Sequence, residues 1–235
     1  MKRYMNLQGK RALVTGGAVR IGAAITRALQ AEGVEVVVHY RHSKAPAEAL
    51  SPYTVQADLE SPEACSRLIE QAGKLDILVN NASIFTKDTL SSATPDRVLR
   101  EFQVNLLAPM ELCRTFAAQA GEGAIINLLD RRIRCHDTTC VPYSLSKKGL
   151  EELTRLAALE YAPRIRVNAV APGPVLPPPG SSAASARELA GHIPLDALPA
   201  PEEIAEAAVY LLKAGSVTGQ VIYVDGGQHL LGNGV

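Results

Sequence analysis

Short apolar runs alternate with stretches of helical periodicity along the chain. The runs Arg11–Val14, Val34–His39, Tyr53–Gln56, Ile77–Val79, Ala124–Leu129, Arg166–Val170 and Val221–Val224 are brief and often β-branched, which predicts buried strands. Helices are predicted between them near Ile21–Glu32, Pro62–Ala72, Pro95–Ala120, Tyr143–Ala162 and Pro201–Lys213. Two of these carry start signals, because Ser61-Pro62-Glu63 and Thr94-Pro95-Asp96 put a capping hydroxyl before a proline at the first helical position. In the fourth helix Leu150, Leu153, Leu156 and Ala157 mark one apolar face. Strand–helix alternation with short connectors predicts a parallel sheet covered on both sides, a single doubly wound α/β domain over residues 1–235. The Pro-, Gly- and Ser-rich stretch Ala171–Ser185 is too long for a plain connector, so a lid is expected over about residues 172–193.

Composition narrows the function classes. The 235 residues balance 24 Lys+Arg against 24 Asp+Glu, which gives no reason to expect a nucleic-acid or anionic-membrane surface. With 47% hydrophobic and 20% charged residues the chain is globular rather than disordered. No apolar run approaches the roughly 18–20 residues of a membrane span, and Met1–Lys10 lacks the apolar core of a signal peptide, so a cytoplasmic location is expected. Cys65, Cys113, Cys135 and Cys140 are too few for a disulfide framework. Cys135-His136 with Cys140 has no second ligand cluster to complete a zinc site, so no metal is expected.

The first strand runs into Thr15-Gly16-Gly17-Ala18-Val19-Arg20-Ile21-Gly22 and then a helix. Glycines let the backbone approach a pyrophosphate, and a helix N-terminus offers unpaired N–H groups and a positive dipole end. At the end of the second strand an NAD-binding protein carries an acid for the ribose 2′-hydroxyl. This chain has none in Val38-His39-Tyr40-Arg41-His42-Ser43. Arg41 and Ser43, with Arg20 or a histidine, can instead pair with a 2′-phosphate, which favours NADPH over NADH. Arg41 as a solvated loop residue is the alternative.

Tyr143 and Lys147 stand one helical turn apart, and an ammonium near a phenol lowers its pKa and eases proton transfer near neutral pH. A surface pair has the same spacing. Asn80-Asn81-Ala82, Asn105 and Asn168-Ala169-Val170-Ala171-Pro172-Gly173 are all expected near the C-terminal ends of parallel strands, where doubly wound sheets bind ligands.

Together the glycine turn, Asp58-Leu59, Asn80-Asn81-Ala82, Tyr143-x-x-x-Lys147, Pro172-Gly173 and the Val224-Asp225-Gly226-Gly227 ending resemble the short-chain dehydrogenase/reductase family from about Leu7 to Gly227. Arg20 stands where the family usually has its middle glycine. The resemblance implies a Rossmann fold with a seven-stranded sheet and a homotetramer. It makes Tyr143 the catalytic acid, with Lys147 on the nicotinamide ribose and Asn105 supporting a proton-relay water. The cofactor residues it implies are Gly16, Arg20, Ile21, His39, Arg41, Ser43, Asp58, Leu59, Asn81, Ala82, Pro172 and Gly173, together with Tyr143 and Lys147.

One position departs from the general family. Thirteen residues before the tyrosine, where a serine is usual, stands Asp130. A hydroxyl donates to a substrate carbonyl, whereas a carboxylate only accepts and would repel a developing alkoxide. It suits a substrate with N–H donors or a protonatable ring nitrogen. The same substitution marks the pteridine reductase branch, which the chain also resembles in Arg20-Ile21-Gly22, His39-Tyr40, Ser43 and Asn81-Ala82-Ser83 with Phe85. That resemblance implies a pterin or dihydrofolate substrate. Phe85 would stack on it, Ser83 would bond its polar edge and Arg20 would touch both substrate and cofactor phosphate. Asp130 and Tyr143 would handle protons. Phe85 as a core aromatic and Ser83 and Arg20 as structural residues are the alternatives. Arg131, Arg132 and Arg134 are either a solvated basic loop or receptors for folate carboxylates. A broader reductase of carbonyl, imine or quinonoid compounds and a non-catalytic NADPH sensor are the competing functions.

Overall fold

A computed structural model describes residues 4–176 and 190–232. The strands are β1 (Arg11–Val14), β2 (Glu35–Tyr40), β3 (Thr54–Gln56), β4 (Ile77–Asn80), β5 (Gly123–Leu128), β6 (Ile165–Pro172) and β7 (Val221–Val224). They form one sheet in the order β3-β2-β1-β4-β5-β6-β7, and every pair is parallel. The order reverses between β1 and β4, which opens a crevice at their C-terminal ends.

Period-two alternation divides the core between the two sheet faces. Ala12 and Val14 of β1 pack with Ile25 and Leu29 of α1 (Arg20–Ala31) and with Ile204 and Ala208 of a late helix, α7 (Pro201–Lys213). Leu13, between them, points the other way. It joins Leu68 of α3 (Pro62–Ala72), Leu112 and Phe116 of α5 (Ala108–Gln119) and Ala157 of α6 (Val141–Glu160). The doubly wound, seven-stranded Rossmann architecture is therefore as expected.

Several local expectations change. A short helix α2 (Lys44–Leu50), which the pattern missed, follows β2; only Ala47 on it is buried, so it carries almost no apolar periodicity. The long helix expected over Pro95–Ala120 is α4 (Pro95–Phe102), a π-helical turn Gln103–Leu107, and α5. π-turns recur at functional sites because the inserted residue re-aims side chains. Ser61 caps α3, its Oγ accepting from the Ala64 N–H at 3.2 Å, but Thr94 makes no side-chain cap to α4. Of the apolar face read on α6, Leu150 and Ala157 are buried and Leu153 is half-buried, while Leu156 is exposed. The buried stripe runs Tyr143, Lys147, Leu150, Thr154, Ala157 and is largely polar. Asn168 lies inside β6. Its side chain donates to Val217 O and accepts from the Gln220 N–H, which ties down the β7 approach instead of serving a ligand. Most of the expected lid, including Pro177-Pro178-Pro179-Gly180, lies outside the described residues.

Candidate active site

The glycine turn after β1 is built by backbone geometry. Gly16 adopts a left-handed backbone (φ 59°), and a Cβ on Gly22 would stand 2.1 Å from Gly16 O, so only glycine lets strand end and helix start touch. Arg20 keeps a positive φ of 55°, the conformation a glycine would take at that position. Thr15 Oγ1 accepts the N–H groups of Asn81 and Ala82 at 2.9 and 3.0 Å, and Asn81 Nδ2 donates to Thr15 O and Gly16 O. The ends of β1 and β4 are thus tied together under the crevice. Helix α1 has no side-chain cap and no acid in its first turn, which leaves its N–H groups for an anion.

His39 is buried and holds this turn from below. Its Nδ1 accepts the Gly16 N–H at 3.1 Å, so Nε2 carries the proton to Ala57 O, also at 3.1 Å. Burial lowers its pKa to about 4, so the ring stays neutral. His39 lines the crevice, but both its nitrogens are committed to backbone, and it brings no charge to a phosphate. Nearby, Arg41 is held by Asp58 at 2.9 Å and Glu60 at 2.7 Å, while its Nε is buried without a partner. It is not a loosely solvated side chain.

The crevice measures about 400 Å³, and every expected cofactor residue from Gly16 through Ala82 lines it. An adjoining recess of about 150 Å³ shares Ile21, Asn81 and Ser83 with it and is closed by Asp130, Tyr143, Lys147, Pro172 and Gly173. A Cβ on Gly173 would meet Asp225 Cα at 2.8 Å, so that corner also needs glycine.

In the recess the Tyr143 hydroxyl donates to Asp130 Oδ2 at 3.0 Å. Phe85, half-exposed, sets its ring edge-on to Tyr143 with centroids 4.8 Å apart, so it is not a core aromatic. Lys147 Nζ donates to Leu128 O at 2.8 Å and lies 5.8 Å from the Tyr143 ring centre. Burial lowers the Lys147 pKa to about 8 against the opposing pull of Asp130 and Glu101. Tyr143 goes the other way from the expectation: burial and the Asp130 carboxylate raise its pKa well above 10, so in this arrangement the phenol keeps its proton.

Asp130 is more enclosed than the sequence suggested. Its Oδ1 accepts the Arg132 N–H at 2.8 Å, and Arg132 Nη1 reaches both carboxylate oxygens at 3.1 and 3.3 Å. Arg132 Nε donates to Asp137 at 2.9 Å, and its guanidinium lies 5.4 Å from the Phe85 ring centre. The basic loop is not simply solvated. Arg131 is buried, Arg132 is paired with two carboxylates, and Arg134 donates to the Tyr223 hydroxyl at 2.8 Å and faces Glu151. The acids that pair Arg132 share its own loop.

Asn105, on the π-turn, is fully buried and fully bonded. Its Oδ1 accepts from Ser83 Oγ and the Ile84 N–H, while its Nδ2 reaches Ile84 O, Glu101 Oε2 and Ser146 Oγ. Ser83 therefore has a structural bond as well as a place on the recess wall. Behind the site, Asn80 donates to Asn127 and Asn127 to Thr154, both at 2.9 Å, which fixes α6 against β4 and β5. Arg132, Glu101 and Ser146 were not singled out as parts of this machinery. For Glu101 the available signal was an acid one helical turn before Asn105. Among the described residues no group of His, Cys, Asp and Glu can hold a metal, and no helix is long and apolar enough to cross a membrane.

A family model described as enoyl-(acyl carrier protein) reductase matches residues 17–229. The 3beta-hydroxysteroid dehydrogenase 1 of Eggerthella lenta is 35% identical over 97% of this chain and 96% of its own. L-xylulose reductase of Bos taurus is 33% identical, covering 95% and 98%. Among solved structures, FolM alternative dihydrofolate reductase 1 from Brucella canis, complexed with NADP, superposes with a TM-score of 0.89 at 35% identity, with 96% of each chain covered. A glycine turn, a Tyr143–Lys147 helix and an Asn105 π-turn at one crevice, matched over nearly the whole length, make this chain a member of the short-chain dehydrogenase/reductase family.

Proposed function

We propose that the chain is an NADPH-dependent reductase of a pterin- or dihydrofolate-type C=N bond. One observation carries the reading: the Tyr143 hydroxyl is bonded to a carboxylate, Asp130, in the recess that adjoins the cofactor crevice. The resemblance to FolM alternative dihydrofolate reductase 1 supports it.

The residues fit the cofactor. The Gly16–Gly22 approach and the uncapped α1 N-terminus suit a pyrophosphate, and Arg41, Ser43 and Arg20 suit a 2′-phosphate, with the unpartnered Arg41 Nε as a spare donor. Asp58 and Leu59, which line the crevice, would border the adenine end, and Lys147 with Pro172 and Gly173, which line the recess, the nicotinamide end. Bound NADPH supplies a hydride. The chain's own residues do the rest. Tyr143 holds its proton until a substrate nitrogen accepts it. Asp130 accepts an N–H from the substrate and so fixes the ring that Phe85 covers. The ammonium of Lys147 lies behind the phenol and stabilises the phenolate left by the transfer.

A second reading, carbonyl reduction, is favoured by Arg132, whose guanidinium adds donors beside Asp130 and could replace the missing serine hydroxyl. NADPH oxidation with dihydrobiopterin, dihydrofolate, biopterin and a ketone panel separates the two. Turnover of a dihydropterin or dihydrofolate is expected, and turnover of ketones alone would overturn the proposal.

The reading includes a homotetramer in the cytoplasm. Leu99, Leu107 and Met110 on α4, the π-turn and α5, with Leu156 and Leu159 on α6, leave apolar side chains exposed for a second copy. The four cysteines are free and buried, which suits a reducing compartment.

A further inference from the structure

Arg41 lines the cofactor crevice, and one turn of chain after β3 grips its guanidinium at both terminal nitrogens. Asp58, Leu59 and Glu60 make that turn, in which the Glu60 N–H donates to Asp58 Oδ1 at 3.0 Å. Asp58 Oδ2 lies 2.9 Å from Arg41 Nη2, and Glu60 Oε1 accepts from Arg41 Nη1 at 2.7 Å. Both sides of the pairing are anchored. Gln56 Nε2 donates to Arg41 O at 2.9 Å, and Gln103 Nε2 on the π-turn donates to Leu59 O at 3.3 Å. Arg100 on α4 completes the row, its Nη2 donating to the same Glu60 Oε1 at 2.8 Å. Charges therefore alternate along Asp58, Arg41, Glu60 and Arg100. The two acids differ in place: Asp58 lines the crevice, whereas Glu60 stands outside it and reaches it through Arg41. Arg100 and Arg41 hold the Glu60 carboxyl below the usual carboxylate range, so it is ionised at neutral pH.

We propose that Glu60 sets how strongly the chain prefers NADP to NAD. It is a positioning residue that acts through Arg41. Its charge competes with the 2′-phosphate for that guanidinium and holds the preference below what Arg41 and Arg100 alone would give. The physical reason is that a phosphate monoester is strongly anionic and gains most from a guanidinium whose donors and charge are uncommitted. Here carboxylates already face both terminal nitrogens of Arg41. NAD lacks the phosphate and does not enter the competition, so Glu60 acts on one cofactor and leaves the other alone. The inference rests on Arg41 as the receiver of the 2′-phosphate.

Isothermal titration of the protein with NADP and with NAD tests this without substrate or turnover. In Glu60→Gln, which keeps the shape and removes the charge, NADP affinity should rise about fivefold while NAD affinity stays within about twofold. The Arg41 and Glu60 side chains are 37% and 29% exposed, so solvent screening keeps the expected gain modest. A merely structural role would move both cofactors together. Arg41→Gln separates the proposal from the reading beneath it, because NADP affinity alone should fall. If it does, and Glu60→Gln leaves the NADP-to-NAD affinity ratio unchanged or lowers it, the role of Glu60 is refuted while that of Arg41 stands. If Arg41→Gln leaves the ratio unchanged, Arg41 is not the receiver and the proposal falls with it. Should the Gln variant of Glu60 fail to fold, Glu60→Ala decides by the same rise in the ratio or its absence.

Discussion

The two ends of the crevice are made by different means. At the phosphate end the work is done by backbone: glycine φ angles, an uncapped helix start, and the neutral His39 ring that holds a peptide group in place. At the substrate end it is done by charged side chains that hold one another, with Asp130 bonded to Tyr143 and Arg132, Arg132 to Asp137, and Glu101 set behind Asn105. Backbone can be shaped to one ligand and kept. A side-chain network can be rewritten residue by residue, which is how one family serves many substrates.

The contrast can be broken at either end. Tyr143→Phe removes the proposed proton donor alone, so kcat should fall by about 10²–10⁴-fold while NADPH affinity, measured by fluorescence titration, stays within about twofold. Gly22→Ala does the opposite. Its Cβ would sit 2.1 Å from Gly16 O, so the turn must open, and NADPH binding should be lost along with about 2–4 kcal/mol of stability in urea unfolding. Native-like NADPH affinity in that variant would show that the turn is not held by close approach.

The His39 effect is smaller and depends on pH. Its folded pKa lies near 4, below the 6.5 of the free group, so the unfolded chain binds a proton that the folded chain does not. Its contribution is fully present above about pH 6.5 and is lost as the pH falls towards 4, by about 3 kcal/mol over the whole window. Urea midpoints at intervals across that window should fall less steeply in His39→Gln than in the native chain. Equal slopes would mean that His39 is not the neutral strut described here.

This contrast also separates what was legible in the sequence from what was not. The phosphate turn could be read because a backbone demand leaves a glycine at a fixed spacing from its strand and helix. Asp130, Tyr143 and Lys147 could be read because each sits at a set interval on β5 and α6. The Arg132 pairings could not, since a loop has no periodicity to say which acid meets which base. The face of α6 was read only in part for a related reason. Leu150 and Ala157 are buried as expected, but the same side also carries Tyr143, Lys147 and Thr154, whose polar groups are satisfied by β5, Asp130 and neighbouring backbone. The π-turn that aims Asn105 inward left no mark beyond a helix that seemed too long.

The most direct test of the substrate end is Asp130→Ser, which restores the hydroxyl usual in the family. Steady-state kinetics would be measured with NADPH against dihydrobiopterin, dihydrofolate and a ketone panel. If Asp130 selects a nitrogen-bearing ring, kcat/KM for the dihydropterin or dihydrofolate should fall by about 10²-fold or more while that for ketones holds or rises. Unaltered pterin kinetics in this variant would contradict the account.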